Sequence, residues 1–346
     1  MHNQLQSFLN RAWYGRVRWL LLLWPLSALF RLLAQRRRDQ FLQGKKQVYR
    51  APVPVIVVGN ITVGGTGKTP LTIWLVQQLQ ARGFRPGIVS RGYGGNAPQY
   101  PHRIAPNDTA VIAGDEPLML ARRTGVPVMI DPDRSAAVQA LLQQTDCNLV
   151  ISDDGLQHYR LGRTFELVVL DGSRGLGNGE LLPVGPLREP EAQLQQVDAI
   201  VVNGEVRHPS LYALPSAFRH ALRIVPGTFK SLLDHTDCPL ETVRTQPRLV
   251  AIAGIGNPQR FFDTLHQLGI QCECRAFPDH HAYSAQDIAD LQDATLLTTE
   301  KDAVKLQGLP GVKGWYLPVD AEVQGDLIDV IIAALQRFEL SRQHLY

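Results

Sequence analysis

The stretch Asn60-Ile61-Thr62-Val63-Gly64-Gly65-Thr66-Gly67-Lys68-Thr69-Pro70 is where residue types and spacing point most directly to chemistry. Glycines allow successive backbone N–H groups to close around phosphate oxygens with no Cβ in the way, and a helix starting at the end of such a loop adds partial positive charge. Gly64, Gly65, Thr66 and Gly67 are the expected cradle, Lys68 the cation for the terminal phosphates, and the Thr69 hydroxyl a magnesium ligand. An apolar run from Val53 to Gly59 precedes the loop, and Leu71, Trp74, Leu75 and Leu79 follow at helical spacing. Strand, glycine loop and helix therefore come in the order of a P-loop. Thr62 stands where the strict pattern has a glycine. Pro70 is acceptable in the first helical turn, where its missing N–H has no intrahelical partner to lose.

A second apolar run, Asn148 to Ser152, ends in Asp153 and Asp154. Two carboxylates at a strand end beside a P-loop have the form of a Walker B element, which holds the metal directly or through water. Four further polar groups stand between predicted elements. Arg91 and Tyr93 follow the run Pro86 to Ser90, so they would stand at the same sheet edge as the phosphates. Asp115 and Glu116 open a helix, where acids also complement the helix dipole. Arg188 and Glu189 lie between Pro186 and Pro190, a setting that equally suits a surface ion pair of small energetic value. His280 and His281 follow Asp279 and are open to proton transfer or to simple packing.

The elements that must position these groups are short apolar strands alternating with helix-length segments. This is the pattern of an α/β protein with a largely parallel sheet flanked by helices. Strands are expected at Val53 to Gly59, Pro86 to Ser90, Val126 to Ile130, Asn148 to Ser152, Leu167 to Asp171 and Ala199 to Asn203, with helices starting near Pro70, Glu116, Ser135 and Glu191. From Ala221 a second group follows, with strands at Leu249 to Ala253, Gln271 to Phe277 and Thr295 to Thr298 and helices at Pro258 to Leu268 and Ala285 to Leu291. The aperiodic, Pro- and His-containing stretch Val206 to Pro215 reads as a boundary. The expected organisation is an N-terminal segment (1–50), a P-loop core (51–210) and a smaller C-terminal α/β lobe (211–346).

With 346 residues, 45% of them hydrophobic and 19% charged, the chain buries a substantial core and is neither disordered nor fibrous. Residues 1–50 carry ten Lys and Arg and a single acid, Asp39, whereas the remainder has 25 basic and 31 acidic residues. The apolar run Trp19 to Phe30 lies within this basic segment, bracketed by Arg16 and Arg18 and by Arg31 and Arg36 to Arg38. As a helix it covers roughly 18 Å, short of the roughly 30 Å hydrocarbon core, so it is expected to lie in a membrane interface. Trp13, Tyr14, Trp19 and Trp24 suit the headgroup level, and each arginine near an anionic surface is worth about 1 kcal/mol. The run leads into arginines instead of a small-residue cleavage site, which argues against a signal peptide. Nothing marks nucleic acid as a partner. Cys147, Cys238, Cys272 and Cys274 are too few and scattered for a disulfide framework and fit a reducing cytosol. Cys272 and Cys274 stand near His280 and His281, which raises zinc, but they read better as two small side chains on one strand face.

Together these segments resemble one family over nearly the whole chain, the tetraacyldisaccharide 4′-kinases of lipid A biosynthesis. The resemblance rests on 58–70, 90–94, 114–117, 153–158, 185–190, 279–283 and 299–305, seven motifs in order, and Thr62 looks like this family's own form of the loop. It implies ATP and magnesium as cofactors, a lipid A disaccharide precursor as acceptor, lipid IVA as product, and a peripheral or monotopic position on the cytoplasmic face of the bacterial inner membrane. It further implies that Asp115 is the base for the sugar hydroxyl, supported by His280. Asp153 and Asp154 would handle magnesium, with Glu189 as a further candidate. Arg91, Tyr93, Arg134, His158 and Arg188 would line the phosphate or acceptor region. Two other classes stay in view. A P-loop GTPase is disfavoured because Asp153-Asp154-Gly155 lacks the spacing of its switch, and a MinD-type membrane ATPase because Val63 occupies its signature lysine position.

Overall fold

The computed structural model describes residues 12–15, 18–214, 219–291 and 293–343. The expectations placed on Arg16, Pro215 and the side chains of Arg18 and Trp19 lie outside the described residues. In chain order the strands are β1 (Val55–Gly59), β2 (Pro86–Ser90), β3 (His102–Arg103), β4 (Val128–Ile130), β5 (Leu149–Asp153), β6 (Phe165–Asp171), β7 (Ala199–Asn203), β8 (Arg219–Pro226), β9 (Phe229–Ser231), β10 (Asp237–Cys238), β11 (Leu249–Ala253), β12 (Glu273–Ala276), β13 (Thr295–Thr299), β14 (Gly314–Leu317) and β15 (Val319–Val323). The longer helices are α1 (Trp24–Leu42), α2 (Lys68–Gln80), α3 (Asp115–Thr124), α4 (Arg134–Gln144), α5 (Pro258–Gln267), α6 (Glu300–Leu306) and α7 (Leu327–Gln343). The segments Glu191–Gln195 and Ala285–Leu291, expected as helices, are short 3-10 turns. Such tighter turns are the usual form of a connector too short to sustain an α-helix.

Among the described residues the strands form two sheets, one of nine strands in the order β15-β8-β7-β6-β1-β5-β2-β4-β3 and one of six in the order β10-β9-β14-β13-β11-β12. In the large sheet every pairing from β8 to β4 is parallel and only the edge strands β15 and β3 run antiparallel. Parallel strands are covered on both faces, which is why β1, β2, β5 and β7 are buried at every position and read as unbroken apolar runs. Side chains still alternate. Ile56 and Val58 face the cluster built by Leu71, Leu75 and Leu79 of α2, whereas Val55 and Val57 face Ala137, Val138 and Leu141 of α4. At about 1.5–3 kcal/mol for each fully buried aliphatic side chain, these two layers fix the strand that carries the glycine loop.

The smaller lobe is narrower than the expected 211–346, because its sheet spans only β9 to β14. β8 and β15 return to the large sheet, and Leu222, Leu327, Ile331 and Leu335 join the same core cluster as α2. The cause is pattern: β15 is half-exposed along its length and lacks the apolar run that marks a core strand, so its pairing with β8 is set by tertiary contacts. At the other end, α1 runs from Trp24 to Leu42, further than the apolar run alone, with Pro25 in its first turn. No described helix is long and apolar enough to cross a membrane.

Candidate functional site

Many of the singled-out residues, though not Asp115, Glu116, Arg188 and Glu189, sit just beyond the carboxyl end of a strand, the edge where open parallel sheets bind ligands. From the large sheet, β1 delivers the glycine loop, β2 Arg91, β5 Asp153 and Asp154, β6 the turn that holds Arg174, and β7 Asn203. From the small sheet, β11 leads to Gly256, β12 to Asp279 and His280, and β13 to Lys301. These two edges face each other. A Cβ on Gly256 would stand 3.2 Å from Asp279 Oδ2 and 3.7 Å from the Gly65 nitrogen, so the loops of the two lobes meet.

The parallel register pairs Val58 with Asp153, which sets the acidic pair beside the glycine loop. Gly64 and Gly67 both have left-handed backbones, with φ of 103° and 100°, where a side chain would be strained. Lys68, the first residue of α2, brings Nζ to 3.6 Å from Asp154 Oδ1. Arg188 donates to both oxygens of the same carboxylate, at 3.0 and 3.2 Å. Burial works to raise the Asp154 pKa, but Lys68 and Arg188 outweigh it and hold the group well below the usual carboxylate range. Asp154 is also one of the few non-glycine residues with positive φ, 46°, a backbone strain that this two-sided clamp supports. Its neighbour behaves oppositely. Burial, reinforced by Glu116 and Asp154, pushes Asp153 up to about 7, and its buried Oδ1 has no hydrogen-bond partner in the described chain.

Asp115 is the first residue of α3 and only 4% exposed. His280 Nδ1 lies 2.9 Å from its Oδ2 and 3.1 Å from its Oδ1, and the Glu116 amide donates to Oδ1 at 2.8 Å. Lys301 and Lys305 approach Oδ2 at 3.9 and 4.0 Å. Burial raises the Asp115 pKa, but the hydrogen bond from His280 and the two lysine charges lower it further than burial lifts it. That same hydrogen bond raises His280. Both shifts, one down and one up, favour the carboxylate–imidazolium form of the pair. The His280 share of the pairing is present below the ordinary histidine value of about 6.5 and is lost as pH rises through the raised value; the Asp115 share is lost only as pH falls through its lowered value. We expect kcat/KM to fall on the alkaline side through an apparent pKa above about 6.5. A pH–rate profile of His280→Gln checks this: loss of the alkaline limb is expected, and its persistence would assign it to another group.

The remaining predicted residues divide. Tyr93 reaches the site, its ring edge-on to His280 with centroids 5.1 Å apart, and Arg91 extends exposed from the end of β2. Arg134, at 2% exposure, lies inside: it donates to the Asp131 carbonyl at 2.8 Å and the Asp153 carbonyl at 3.4 Å, and burial lowers it to about 10. It thereby braces the end of the strand that carries Asp153. His158 is lowered to about 4, by burial first and then by Arg134, Arg37 and Arg91, so it is neutral and stands within a cationic group to which α1 contributes. Glu189, a candidate for the metal, has its buried carboxylate beside Tyr159 and Gln157, and burial raises its pKa. Among the described residues no three His, Cys, Asp or Glu form a metal cluster. His281 faces Asp287 at 3.3 Å, apart from the Asp115 pair.

Several site residues were missed in the sequence. Lys301 binds Glu116 at 3.0 Å and Asp279 at 3.2 Å and so ties the lobes together at the Asp115–His280 pair. Asn203 and Arg174 hold carbonyls of the glycine loop. Only the position of Asn203 at the end of an apolar strand could have suggested it; Lys301 was visible in the motif 299–305 but had no role attached.

Fold and site together define an α/β protein in which the loops of a second, smaller sheet meet the glycine loop of the larger one. The model for the family described as tetraacyldisaccharide-1-P 4′-kinase matches residues 19–336, and the chain belongs to that family. The tetraacyldisaccharide 4′-kinase of Pseudomonas aeruginosa strain LESB58 is 51% identical over 310 residues, covering 90% of this chain and 91% of the relative. That of Azotobacter vinelandii is 49% identical over 333 residues, covering 96% and 98%. The crystal structure of LpxK from Aquifex aeolicus in complex with ATP superposes with a TM-score of 0.77 at 28% identity, covering 91% of this chain and 99% of that one.

Proposed function

We infer that the protein transfers the γ-phosphoryl group of ATP to the 4′-hydroxyl of a tetraacyldisaccharide 1-phosphate, giving lipid IVA in lipid A biosynthesis. Family membership supports the activity, and the observation that carries its mechanism is the Asp115–His280 pair reaching across the lobes opposite the glycine loop. Phosphoryl transfer runs through a loose transition state, so catalysis is mainly positioning and neutralisation of charge. Gly64 to Gly67 act as the phosphate-binding loop, and Lys68 supplies the cation at the terminal phosphates. Asp115, kept anionic, accepts the proton of the attacking hydroxyl; a weak base suffices because little proton transfer is needed before the leaving bond has loosened. His280 holds that carboxylate in place and Lys301 fixes the second lobe against it.

Magnesium fits the residues present. Asp153 has a buried oxygen without a partner and a pKa raised by burial, both of which a cation would relieve, and Thr69 stands in the first turn of α2. Asp153 and Thr69 would hold the ion directly, with Asp154 kept anionic beside them by Lys68 and Arg188; magnesium is commonly bound by one or two carboxylates plus substrate phosphates, so no larger cluster is required. Its chemistry there is neutralisation of phosphate charge.

The acceptor is a lipid, and α1 supports contact with a membrane surface. Ser27 bonds the Leu181 carbonyl at 2.9 Å and docks one face, leaving Leu26, Leu29 and Leu33 more than half exposed on the other. Arg31 and Arg36 to Arg38 share the helix, as an interfacial anchor at the cytoplasmic face of the inner membrane requires. Replacing all three leucines by serine is expected to lower partition onto anionic vesicles on the order of 10²-fold, counting about half of a full leucine burial for each. Co-sedimentation measures this; unchanged binding would remove α1 as the anchor. The reading of the reaction itself is tested by ATP consumption in mixed micelles with and without the disaccharide lipid. Acceptor-dependent turnover is expected, and turnover indifferent to the acceptor would favour a membrane ATPase.

A further inference from the structure

Three consecutive carbonyls of the glycine loop are each held by a side chain from a different place in the chain. Asn60 Nδ2 donates to the Gly64 carbonyl at 3.3 Å, Arg174 Nη2 donates to that of Gly65, and Asn203 Nδ2 donates to that of Thr66 at 3.0 Å. A trans peptide is planar, with its C=O and N–H on opposite sides. Holding these carbonyls outward therefore turns the N–H groups of Gly65, Thr66 and Gly67 the other way. Among the described residues none of those three N–H groups donates a hydrogen bond, and the Thr66 hydroxyl is buried without a partner. Three consecutive donors without partners thus belong to peptides whose carbonyls are all held.

We propose that Asn60, Arg174 and Asn203 are positioning residues that preorganise the phosphate-binding nest by locking its peptide planes from behind. Glycine-rich backbone has no conformational preference strong enough to hold this geometry alone, so without the three holders the loop would lose the ordered state that a polyphosphate recognises. Two of the holders, Asn203 and Arg174, are themselves fixed. Arg260, from α5 in the smaller lobe, donates to Asn203 Oδ1 at 3.4 Å, which decides the end of the amide that meets Thr66. Asp171 accepts from the Arg174 guanidinium at 3.3 Å and from the Ser173 and Arg174 amides at 3.0 Å. Tyr14 lies against the other side of Arg174, 5.5 Å from ring centroid to guanidinium carbon. The nest is thereby connected to the smaller lobe through Asn203 and to the N-terminal segment through Arg174.

This rests on the ATP-binding reading above, and the test separates the two. Affinities for ATP and for inorganic tripolyphosphate, which carries no nucleoside, are measured by calorimetry on the full chain as wild type, Asn203→Leu, Arg174→Met and Arg174→Lys. Asn203→Leu keeps the branching at Cγ and removes a neutral donor, so its effect reports the holding and not charge. Weakening by about 3- to 10-fold is expected for each of Asn203→Leu and Arg174→Met, equal for both ligands, the loss typical of one hydrogen bond. Arg174→Lys, which keeps a donor, should recover most of it. In turnover, KM for ATP should rise with kcat nearly unchanged. Should Asn203→Leu not fold, the two Arg174 variants carry the test, since that side chain is partly exposed. Wild-type affinity in the folded variants, or weakening of ATP but not of tripolyphosphate, overturns the proposal. A wild type that binds neither ligand overturns the ATP reading instead.

Discussion

Asp115→Ala is expected to lower kcat by about 10²- to 10⁴-fold, the range for loss of a positioned base, while affinity for ATP changes little. The prediction follows from what surrounds the group. Asp115 is nearly inaccessible, kept anionic by His280, Lys301 and Lys305, and placed where the lobes meet and not at the glycine loop. Alanine also strips a counter-charge from those three cations, so the closer control is Asp115→Asn, which keeps shape and a carbonyl acceptor but cannot take the proton. Both variants should show the loss in kcat, measured at saturating acceptor. A near-normal kcat in Asp115→Asn would leave Asp115 a structural link between lobes and move the base elsewhere.

Lys68→Ala is expected to cost about 10²- to 10³-fold in kcat, the scale on which removal of one preorganised charge or donor from a transition state is felt. The side chain lies beside Asp154, and Arg188 binds both oxygens of that same carboxylate. Removing Lys68 therefore does not leave Asp154 unpaired, and the folded state should survive, which thermal unfolding can verify. Loss of turnover in a protein that still unfolds cooperatively near the wild-type temperature is the expected combination. Retained turnover would mean that Arg188 supplies the cation instead.

Much of this site was legible in the sequence because its parts are local. A strand followed by a glycine loop and a helix, and a strand ending in two acids, are each contained within about a dozen residues; the fold then brings them together by the register of β1 with β5. What was illegible depends on long-range contacts. Asn203, Arg174 and Asn60 converge on one loop from separate parts of the chain, and none carries a pattern of its own. Asp115 looked like a helix-opening acid, which it also is; its pairing with His280, 165 residues away, could be named only through resemblance to a family. The limits of the smaller lobe were misjudged for the same reason. β8 and β15 pair with each other at the edge of the first sheet across nearly a hundred residues, and a half-exposed edge strand does not announce the sheet it belongs to. Arg134, expected to line the phosphate or acceptor region, has a further contact the sequence did not show: at 2% exposure it reaches the Asp153 carbonyl.

The central claim is that phosphoryl transfer to the lipid takes place between the two facing sheet edges. The most direct measurement supplies ATP labelled at the γ-phosphate with a tetraacyldisaccharide 1-phosphate in detergent micelles and locates the label on the product. Label bound to the lipid at the 4′ position, dependent on Asp115 and Lys68, is the predicted result. Label released only as free phosphate, with the lipid unmodified, would contradict the account.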